Sequence, residues 1–289
     1  MIDFLLRDIQ LAHKRRDLSK LEILIHELLT ISPIPVVEIS ENVSLERLRN
    51  NYKGEIFHSE ADISFRQDYW NIKEFGRANF PSSSKFYCSL ASKYVKDIRI
   101  VNVLETNKEF RQKQVIKKRQ VFTSGQWITN SILKVAVFPF NQSAILYNEE
   151  IGFHSNKFYQ IINNFSEEQR MIYKKTLRFI SYFYSLKEIM NHYDYTVSAY
   201  LSEFIFDKYN LDGILYPTVR AQFRTYNLVL RPEVSLSKLT FTKAAMFELI
   251  LIGKKAVIDN IADGEKDNLN NIYWNYTERT SEGVVSKLL

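Results

Sequence analysis

The sequence predicts an α+β fold, and two kinds of segment support this prediction. Residues 1 to about 30, 166–191 and 196–209 repeat their apolar residues near helical spacing. Residues 97–107 and 132–138 and the segment TYNLVL are short, apolar and rich in β-branched residues, which is typical of buried strands. Runs of strand are separated by runs of helix, and this order favours α+β over a regular βαβ alternation.

The N-terminal helix is predicted to end at the segment SPIPVV, because proline cannot continue a helical ladder. We interpret residues 1–40 as a helical appendage and residues 41–289 as the main domain. The basic cluster His13–Arg16 could bind phosphate, but a solvated helix end explains it more simply.

The middle of the chain is predicted to be mixed. A buried strand is expected over residues 97–107, with Glu105 at its end. The basic run RQKQVIKKRQ then leads to a turn at Ser124 and Gly125, and a second apolar strand is expected over residues 132–138.

The second half of the chain has clearer signals for the ends of helices and strands. The capping pattern SEEQ opens the helix predicted over residues 166–191. The segment NLDGILYP predicts a turn at Asp212 and Gly213 that leads into a short strand, and TYNLVL predicts another. From residue 240 into the 250s, helix and strand signals are mixed and neither is preferred.

Composition excludes several classes of protein. The chain has 289 residues, an apolar fraction of 45% and a net charge of +6, which suits an anionic ligand as well as nucleic acid. Cys88 is the single cysteine, so an intrachain disulfide is excluded, and the charged N-terminus argues against a signal peptide. No uncharged run is long enough to span a bilayer. We therefore expect a cytoplasmic protein with no membrane partner.

Common cofactor motifs are absent as well. The five histidines form no ligand pair at helical or knuckle spacing, so no metal site is expected. The chain also lacks GxGxxG, GxxxxGK[ST] and GxSxG, which argues against a Rossmann fingerprint, a P-loop and a nucleophile elbow.

Four segments taken in order resemble one known family. GRANFPSSSKFYCS, VLET, GQW and YLSEFIFDKYNLDGILYPTVRAQFRTYNLVL together are similar to the RES domain family over roughly residues 43–240. The resemblance implies an ADP-ribosyltransferase-like core and a bacterial toxin that destroys NAD. It also implies NAD as substrate with no separate cofactor, and an antitoxin protein as partner, while a homo-oligomer stays open.

The resemblance also implies the site residues. The family's first arginine falls on Arg47 or Arg49, with Arg47 preferred, and its serine position is held here by Thr218. The remaining family positions fall on Gly76, Arg77, Tyr87, Glu105 and Asn227. The interval from Tyr87 to Glu105 is longer than the family pattern, so Asp97 and Glu109 are the alternative carboxylates.

These residue types suit cleavage of the nicotinamide–ribose bond. A carboxylate such as Glu105 stabilises the positive charge that develops on the ribose carbon. Arginine forks at Arg77 and at Arg47 or Arg49 would bind the pyrophosphate, Tyr87 would stack on nicotinamide, and the Thr218 hydroxyl would bind a phosphate or ribose oxygen. The alternatives are ADP-ribose transfer to a macromolecule and a non-enzymatic module that binds nucleic acid through residues 111–119, although a nucleic-acid partner is not expected.

Overall fold

The computed structural model describes residues 1–92, 95, 97–111, 118–252, 255–277 and 284–287. In this part of the chain one large mixed sheet combines with α-helices on both of its faces. The order of the path is β1-β5-β6-β7-β3-β2-β4-β8-β9-β10, and β11 also pairs with β9. Only β5 and β6 pair in parallel within the described residues. The expected mixture of strands and helices is confirmed.

The strands vary greatly in length. β8 and β9 form a long antiparallel hairpin with β4 along the other side of β8. The strands are β1 (Val36–Ile39), β2 (Ser44–Asn50), β3 (Phe86–Leu90), β4 (Lys118–Thr129), β5 (Leu133–Val137), β6 (Gly213–Pro217), β7 (Tyr226–Leu230), β8 (Leu239–Ile252), β9 (Lys255–Lys266), β10 (Ile272–Tyr276) and β11 (Val284–Lys287).

Most helices lie before or between the short central strands. The helices are α1 (Ile2–Arg15), α2 (Leu18–Ile31), α3 (Glu60–Ile63), α4 (Ile98–Thr106), α5 (Gln142–Tyr147), α6 (Glu149–Ile162), α7 (Glu167–Tyr184), α8 (Thr196–Tyr209) and α9 (Pro232–Lys238). Helix α7 opens with the predicted capping box, in which the Ser166 hydroxyl accepts from the Gln169 backbone N–H.

The sheet forks between β2 and β3. These strands pair only at Leu45–Leu90 and Glu46–Ser89. Beyond these pairs β2 continues beside β4 as far as Asn50, whereas β3 runs beside β7. The two halves of the sheet therefore separate along β2 and β3, and backbone groups on the inner edges of the fork need partners other than a neighbouring strand.

The apolar core lies on both faces of the sheet. Helices α1, α2, α7 and α8 bury one cluster against the central strands. A second cluster lies around Trp127 and Phe86 on the opposite face, and a third packs α4 against β2, β4, β8 and β9.

The single helix predicted over residues 1 to about 30 is wrong in one respect, because two helices occupy this region. Arg16 takes a left-handed conformation that ends α1, and the Asp17 carboxylate then caps α2 by accepting from the Lys20 backbone N–H. Ile9 and Leu21 are fully buried in the same cluster as parts of α7 and α8. The first 40 residues thus contribute to the core, whereas the division into domains at residue 40 stays a prediction.

The strand predicted over residues 97–107 is wrong, since this segment forms α4. The Asp97 carboxylate caps the helix by accepting from the Arg99 backbone N–H. Val101 and Leu104 then lie one turn apart and are buried against β2 and the hairpin. Packing of this apolar face outweighs the β-branched composition of the segment.

The turn predicted at Ser124 and Gly125 is also wrong, because both residues lie within β4. Gly125 is present for a packing reason, since a Cβ atom there would lie 2.5 Å from the Trp127 ring and 2.8 Å from Ile63. The strands predicted over residues 132–138 and at TYNLVL are confirmed as β5 and β7. The segment from residue 240 is the strand β8.

Candidate functional site

A cavity of about 700 Å³ lies where β2 and β3 separate. This volume is in the range of small-molecule sites. Seven of the eight predicted site residues line the cavity, and they come from both halves of the sheet, from α4 and from the turn before β3. They are Arg47, Arg49, Gly76, Arg77, Tyr87, Glu105 and Asn227.

Arg47 bridges the fork. Its Nε donates to the backbone oxygens of Ile63 and Ser64 at 3.1 and 2.9 Å, and its Nη1 donates to the Tyr87 backbone oxygen at 2.8 Å. Burial, and to a smaller extent the Arg49 charge, lower the pKa of the Arg47 guanidinium to about 10. No carboxylate lies within ion-pair distance of Arg47 in the described part of the chain, so a partly buried positive charge faces the cavity.

Arg77 is anchored to the C-terminal end of α7. Its Nη1 donates to the backbone oxygens of Phe183 and Tyr184 at 3.4 and 2.7 Å, and its Nη2 donates to that of Leu186 at 3.2 Å. The guanidinium also lies 5.2 Å from the Tyr195 ring centre. Arg77 therefore stabilises carbonyl groups that have no helical partner, and it places a positive charge at the cavity wall.

The turn that carries Arg77 is fixed by Tyr87. The Tyr87 hydroxyl donates to Asn79 Oδ1 at 2.8 Å and accepts from the Ala78 backbone N–H at 2.9 Å. Burial raises the pKa of this hydroxyl. A Cβ atom at Gly76 would lie 2.2 Å from Asn79 Oδ1, so a larger residue here would displace the Asn79 side chain that accepts from Tyr87.

Glu105 lies in the last turn of α4, at the edge of the cavity. Its Oε1 accepts from the backbone N–H groups of Arg220 and Ala221 at 2.6 and 3.0 Å. Its Oε2 accepts from Asn227 Nδ2 at 3.3 Å. The carboxylate is thus held in one orientation by the loop between β6 and β7 and by β7 itself.

Thr218 is the one predicted site residue that the structure does not bring to the cavity. Its side chain is fully buried, and its hydroxyl donates to the Thr225 backbone oxygen at 3.0 Å while accepting from the Thr225 backbone N–H at 3.2 Å. Both bonds close the loop between β6 and β7. This loop supplies the backbone N–H groups that donate to Glu105, so Thr218 supports the site indirectly by holding the loop in place.

The alternative carboxylates lie elsewhere. Asp97 accepts from Arg99 in an ion pair of 3.1 Å, and Glu109 is paired with Lys118. Neither residue lines the cavity.

Several polar residues of the site were not identified from the sequence. Ser89 on β3 and Asn102 on α4 are buried and line the cavity, and they are joined by a hydrogen bond of 2.7 Å. Tyr195, Tyr216 and Arg220 also line it. Arg220 lies two positions after the YPT segment, and this closeness in sequence could have identified it as a site residue.

Positive charge dominates the cavity. Five arginines line it, against three carboxylates, in the part of the chain that the structure describes. One of these arginines, Arg66, is paired with Asp68 at 2.6 Å. A second cavity of about 260 Å³ shares Arg47, Arg49 and Arg66 with the first, which extends the cationic surface. An elongated anionic ligand is therefore favoured.

No group of three or more His, Cys, Asp or Glu side chains that could hold a metal ion occurs among the described residues. Over the same residues, no helix has both the length and the apolar character needed to cross a bilayer.

Comparison with known proteins finds similarity among solved structures. No family model matches the chain, and no curated protein matches it in sequence. Among solved structures it is similar to a chain in the crystal structure of the M. tuberculosis MbcT-MbcA toxin-antitoxin complex. The identity is 11%, the match covers 76% of this chain and 89% of the other, and the TM-score is 0.32. At this TM-score the similarity supports no inference about activity.

Proposed function

We propose that the protein cleaves the bond between nicotinamide and ribose in NAD. The observation that supports this most directly is the Glu105 carboxylate, which is held by two backbone N–H groups and an amide at the edge of a cavity lined by arginines. We also propose that the forked sheet corresponds to the ADP-ribosyltransferase-like core of the RES family. NAD is then a substrate, and no separate cofactor is required.

The proposed reaction needs little from the protein beyond charge and position. As the bond to nicotinamide breaks, its electron pair leaves with the nicotinamide nitrogen and positive charge develops on the ribose carbon. The fixed Glu105 carboxylate stabilises this charge. Water then adds to the carbon and loses a proton, giving ADP-ribose, nicotinamide and H⁺. Inorganic phosphate in place of water gives ADP-ribose phosphate.

The arginines divide into two groups in this proposal. Arg47 and Arg77 are each held in place by hydrogen bonds to backbone carbonyls, so we propose that they supply fixed positive charge to the cavity. Arg49 and Arg220 also line the cavity, and we propose that their guanidinium groups contact the pyrophosphate. Burial lowers the pKa of Arg49, which is consistent with a charge poorly solvated without an anion.

Depletion of NAD would harm the cell that makes the enzyme. We therefore propose that the protein acts in the cytoplasm as a bacterial toxin or defence effector, and that a protein antitoxin restrains it. Transfer of ADP-ribose to a macromolecule is the second candidate, because the same site performs it when an acceptor group replaces water.

The nucleic-acid alternative has less support. In the basic run of residues 111–119, Lys118 is paired with Glu109, and Arg119 with Glu248 at 3.0 Å. Paired cations contribute less to phosphate binding than free ones. Residues 112–117 of this run lie outside the described residues.

The test is a product analysis with purified protein and NAD. We expect release of nicotinamide, together with ADP-ribose, ADP-ribose phosphate when phosphate is present, or ADP-ribose linked to protein. Glu105→Gln should lower turnover at least about 100-fold, since it removes the charge at nearly constant volume. Glu109→Gln, a matched change outside the cavity, should be active. Intact NAD after prolonged incubation with the wild-type protein would overturn the proposal.

A further inference from the structure

Five polar side chains form a continuous row from β2 to the proposed catalytic carboxylate. Asn102 Nδ2 lies 3.4 Å from Glu46 Oε1, and Asn102 Oδ1 lies 2.7 Å from Ser89 Oγ. Ser89 Oγ lies 3.0 Å from Asn227 Oδ1, and Asn227 Nδ2 lies 3.3 Å from Glu105 Oε2. The row crosses the sheet at the closed end of the fork, where Glu46 and Ser89 are paired in register.

The hydrogen atoms in this row do not suffice when both carboxylates are ionised. Each ionised carboxylate accepts only, so each asparagine must turn its NH₂ group towards its glutamate. Both asparagine oxygens then face the Ser89 hydroxyl, which has a single proton to donate. One buried oxygen is left without a donor in the row, and this is unfavourable because Ser89 and both amides are buried.

One added proton resolves the conflict. A neutral Glu46 donates its O–H to Asn102 Oδ1, once the Asn102 amide is turned over. Asn102 Nδ2 then donates to Ser89 Oγ, the Ser89 hydroxyl donates to Asn227 Oδ1, and Asn227 Nδ2 donates to the Glu105 carboxylate. Every polar atom in the row then has a partner, and all the hydrogen bonds point towards Glu105.

Placing the added proton on Glu105 is less favourable. Two backbone N–H groups donate to Glu105 Oε1, and Glu105 lines a cavity with five arginines. Glu46 has no such surroundings, because it is partly buried and does not line the cavity. The neighbouring strands β3 and β4 present only uncharged groups to it, among them the hydroxyls of Ser89 and Ser124.

The charged groups near Glu46 are Arg99 and Asp97, both at the start of α4. They are paired with each other at 3.1 Å, so their effects on Glu46 partly cancel. Burial is the larger influence, and it raises the pKa of Glu46 to about 7.

We propose that Glu46 is a positioning residue that acts as a neutral carboxylic acid and fixes the direction of the hydrogen bonds through Asn102, Ser89 and Asn227 to Glu105. The effect of Glu46 on turnover rests on the proposed NAD-cleaving function, whereas the protonation of Glu46 does not. Ionisation of Glu46 reverses the Asn102 amide and leaves Asn227 without a donor from Ser89, so the Asn227 amide no longer has a fixed orientation.

The direct test is an NMR titration of the wild-type protein labelled with ¹³C at the glutamate side-chain carboxyl carbon. The Glu46 resonance is identified by its absence from Glu46→Gln, or by its coupling to its own γ protons should that variant not fold. We expect it to titrate near the value of about 7 given above. A Glu46 carboxyl group that is ionised throughout the range above about pH 5 would overturn the proposal.

A second test uses NAD turnover as a function of pH. In the wild-type protein kcat/KM should fall above about pH 7, by up to roughly tenfold per pH unit, because the neutral fraction of Glu46 falls at that rate. Glu46→Gln keeps a side chain that donates to Asn102 Oδ1 at every pH, so its profile should lack this fall. Glu46→Ala should be impaired throughout.

The control is Glu248→Gln, a change on β8 at a carboxylate paired with Arg119, which should leave the pH profile as in wild type. The same fall above pH 7 in Glu46→Gln as in wild type would overturn the positioning role. Absence of NAD turnover in all proteins would refute the proposed function, and the NMR titration would still decide the protonation of Glu46.

Discussion

Replacement of Arg77 by lysine tests the two roles of this residue, which binds carbonyl groups at the end of α7 and places a positive charge at the cavity wall. The guanidinium reaches three backbone oxygens, those of Phe183, Tyr184 and Leu186, from two separate nitrogens. A lysine ammonium is a single point and cannot span all three. Arg77→Lys should therefore lose stability as well as activity, even though the positive charge is kept.

The expected loss of stability in Arg77→Lys follows from the hydrogen bonds that the guanidinium forms. The contacts at 2.7 and 3.2 Å are well formed, and the one at 3.4 Å is weak. Loss of one or two charge-assisted bonds, partly offset by water from the cavity, should reduce the free energy of unfolding by about 2 to 4 kcal/mol. For a chain of this size that corresponds to a fall in Tm of roughly 4 to 8 °C.

The assay is urea unfolding followed by circular dichroism, with thermal unfolding as a second measurement. Arg66→Lys is the matched control, because Arg66 lines the same cavity but forms only an exposed pair with Asp68. Its effect on stability should be much smaller. An Arg77→Lys protein as stable as wild type would refute the anchoring role and would leave Arg77 as a ligand-binding residue alone.

Four further outcomes are expected. Gly76→Ala should destabilise the protein by about 1 to 3 kcal/mol in urea unfolding, because its Cβ would clash with Asn79 Oδ1; a neutral result would mean that the turn moves freely. Thr218→Val should lower the free energy of unfolding by about 1 to 3 kcal/mol, whereas Thr218→Ser should be close to wild type. Turnover per folded molecule should be similar in both variants, and a selective loss of turnover in Thr218→Val would place the hydroxyl in the site. Deletion of residues 1–31 should give an insoluble or unfolded protein, since α1 and α2 are part of the core, and a soluble active truncation would support an appendage. The unfolding free energy should fall by roughly 1 to 3 kcal/mol as pH rises from about 4.5 to about 7, because folded protein binds the Glu46 proton more tightly than unfolded protein does, and Glu46→Gln should remove this fall.

Local sequence patterns predicted elements well where one clear signal dominated. The capping box at Ser166 and the helix over residues 196–209 were confirmed, as was the short strand after Asp212, although Gly213, predicted in a turn, is the first residue of β6. The patterns failed where long-range packing decides the structure. Helix α4 has strand-like composition, but its apolar side packs against β2, and this contact is not visible in the sequence.

The candidate site was predictable only in part. The family resemblance selected Arg47, Arg77 and Glu105, and the structure brings all three to one cavity. It could not show that the arginines bind backbone carbonyls, since these come from segments distant in the chain. Nor could it reveal the partners of Glu46, because Asn102 and Ser89 approach it only after α4 and β3 have packed.

The fork between β2 and β3 divides the sheet into two mechanical units. Only two register pairs join them along these strands, and the Arg47 guanidinium adds a side-chain link across the gap. Hydrogen exchange should therefore proceed as two groups of amides, one on β1, β5, β6, β7 and β3 and the other on β2, β4, β8 and β9. A molecule bound in the fork contacts both halves of the sheet. It should therefore slow amide hydrogen exchange in both groups of strands, including amides far from its own contacts, so that the two groups exchange as one.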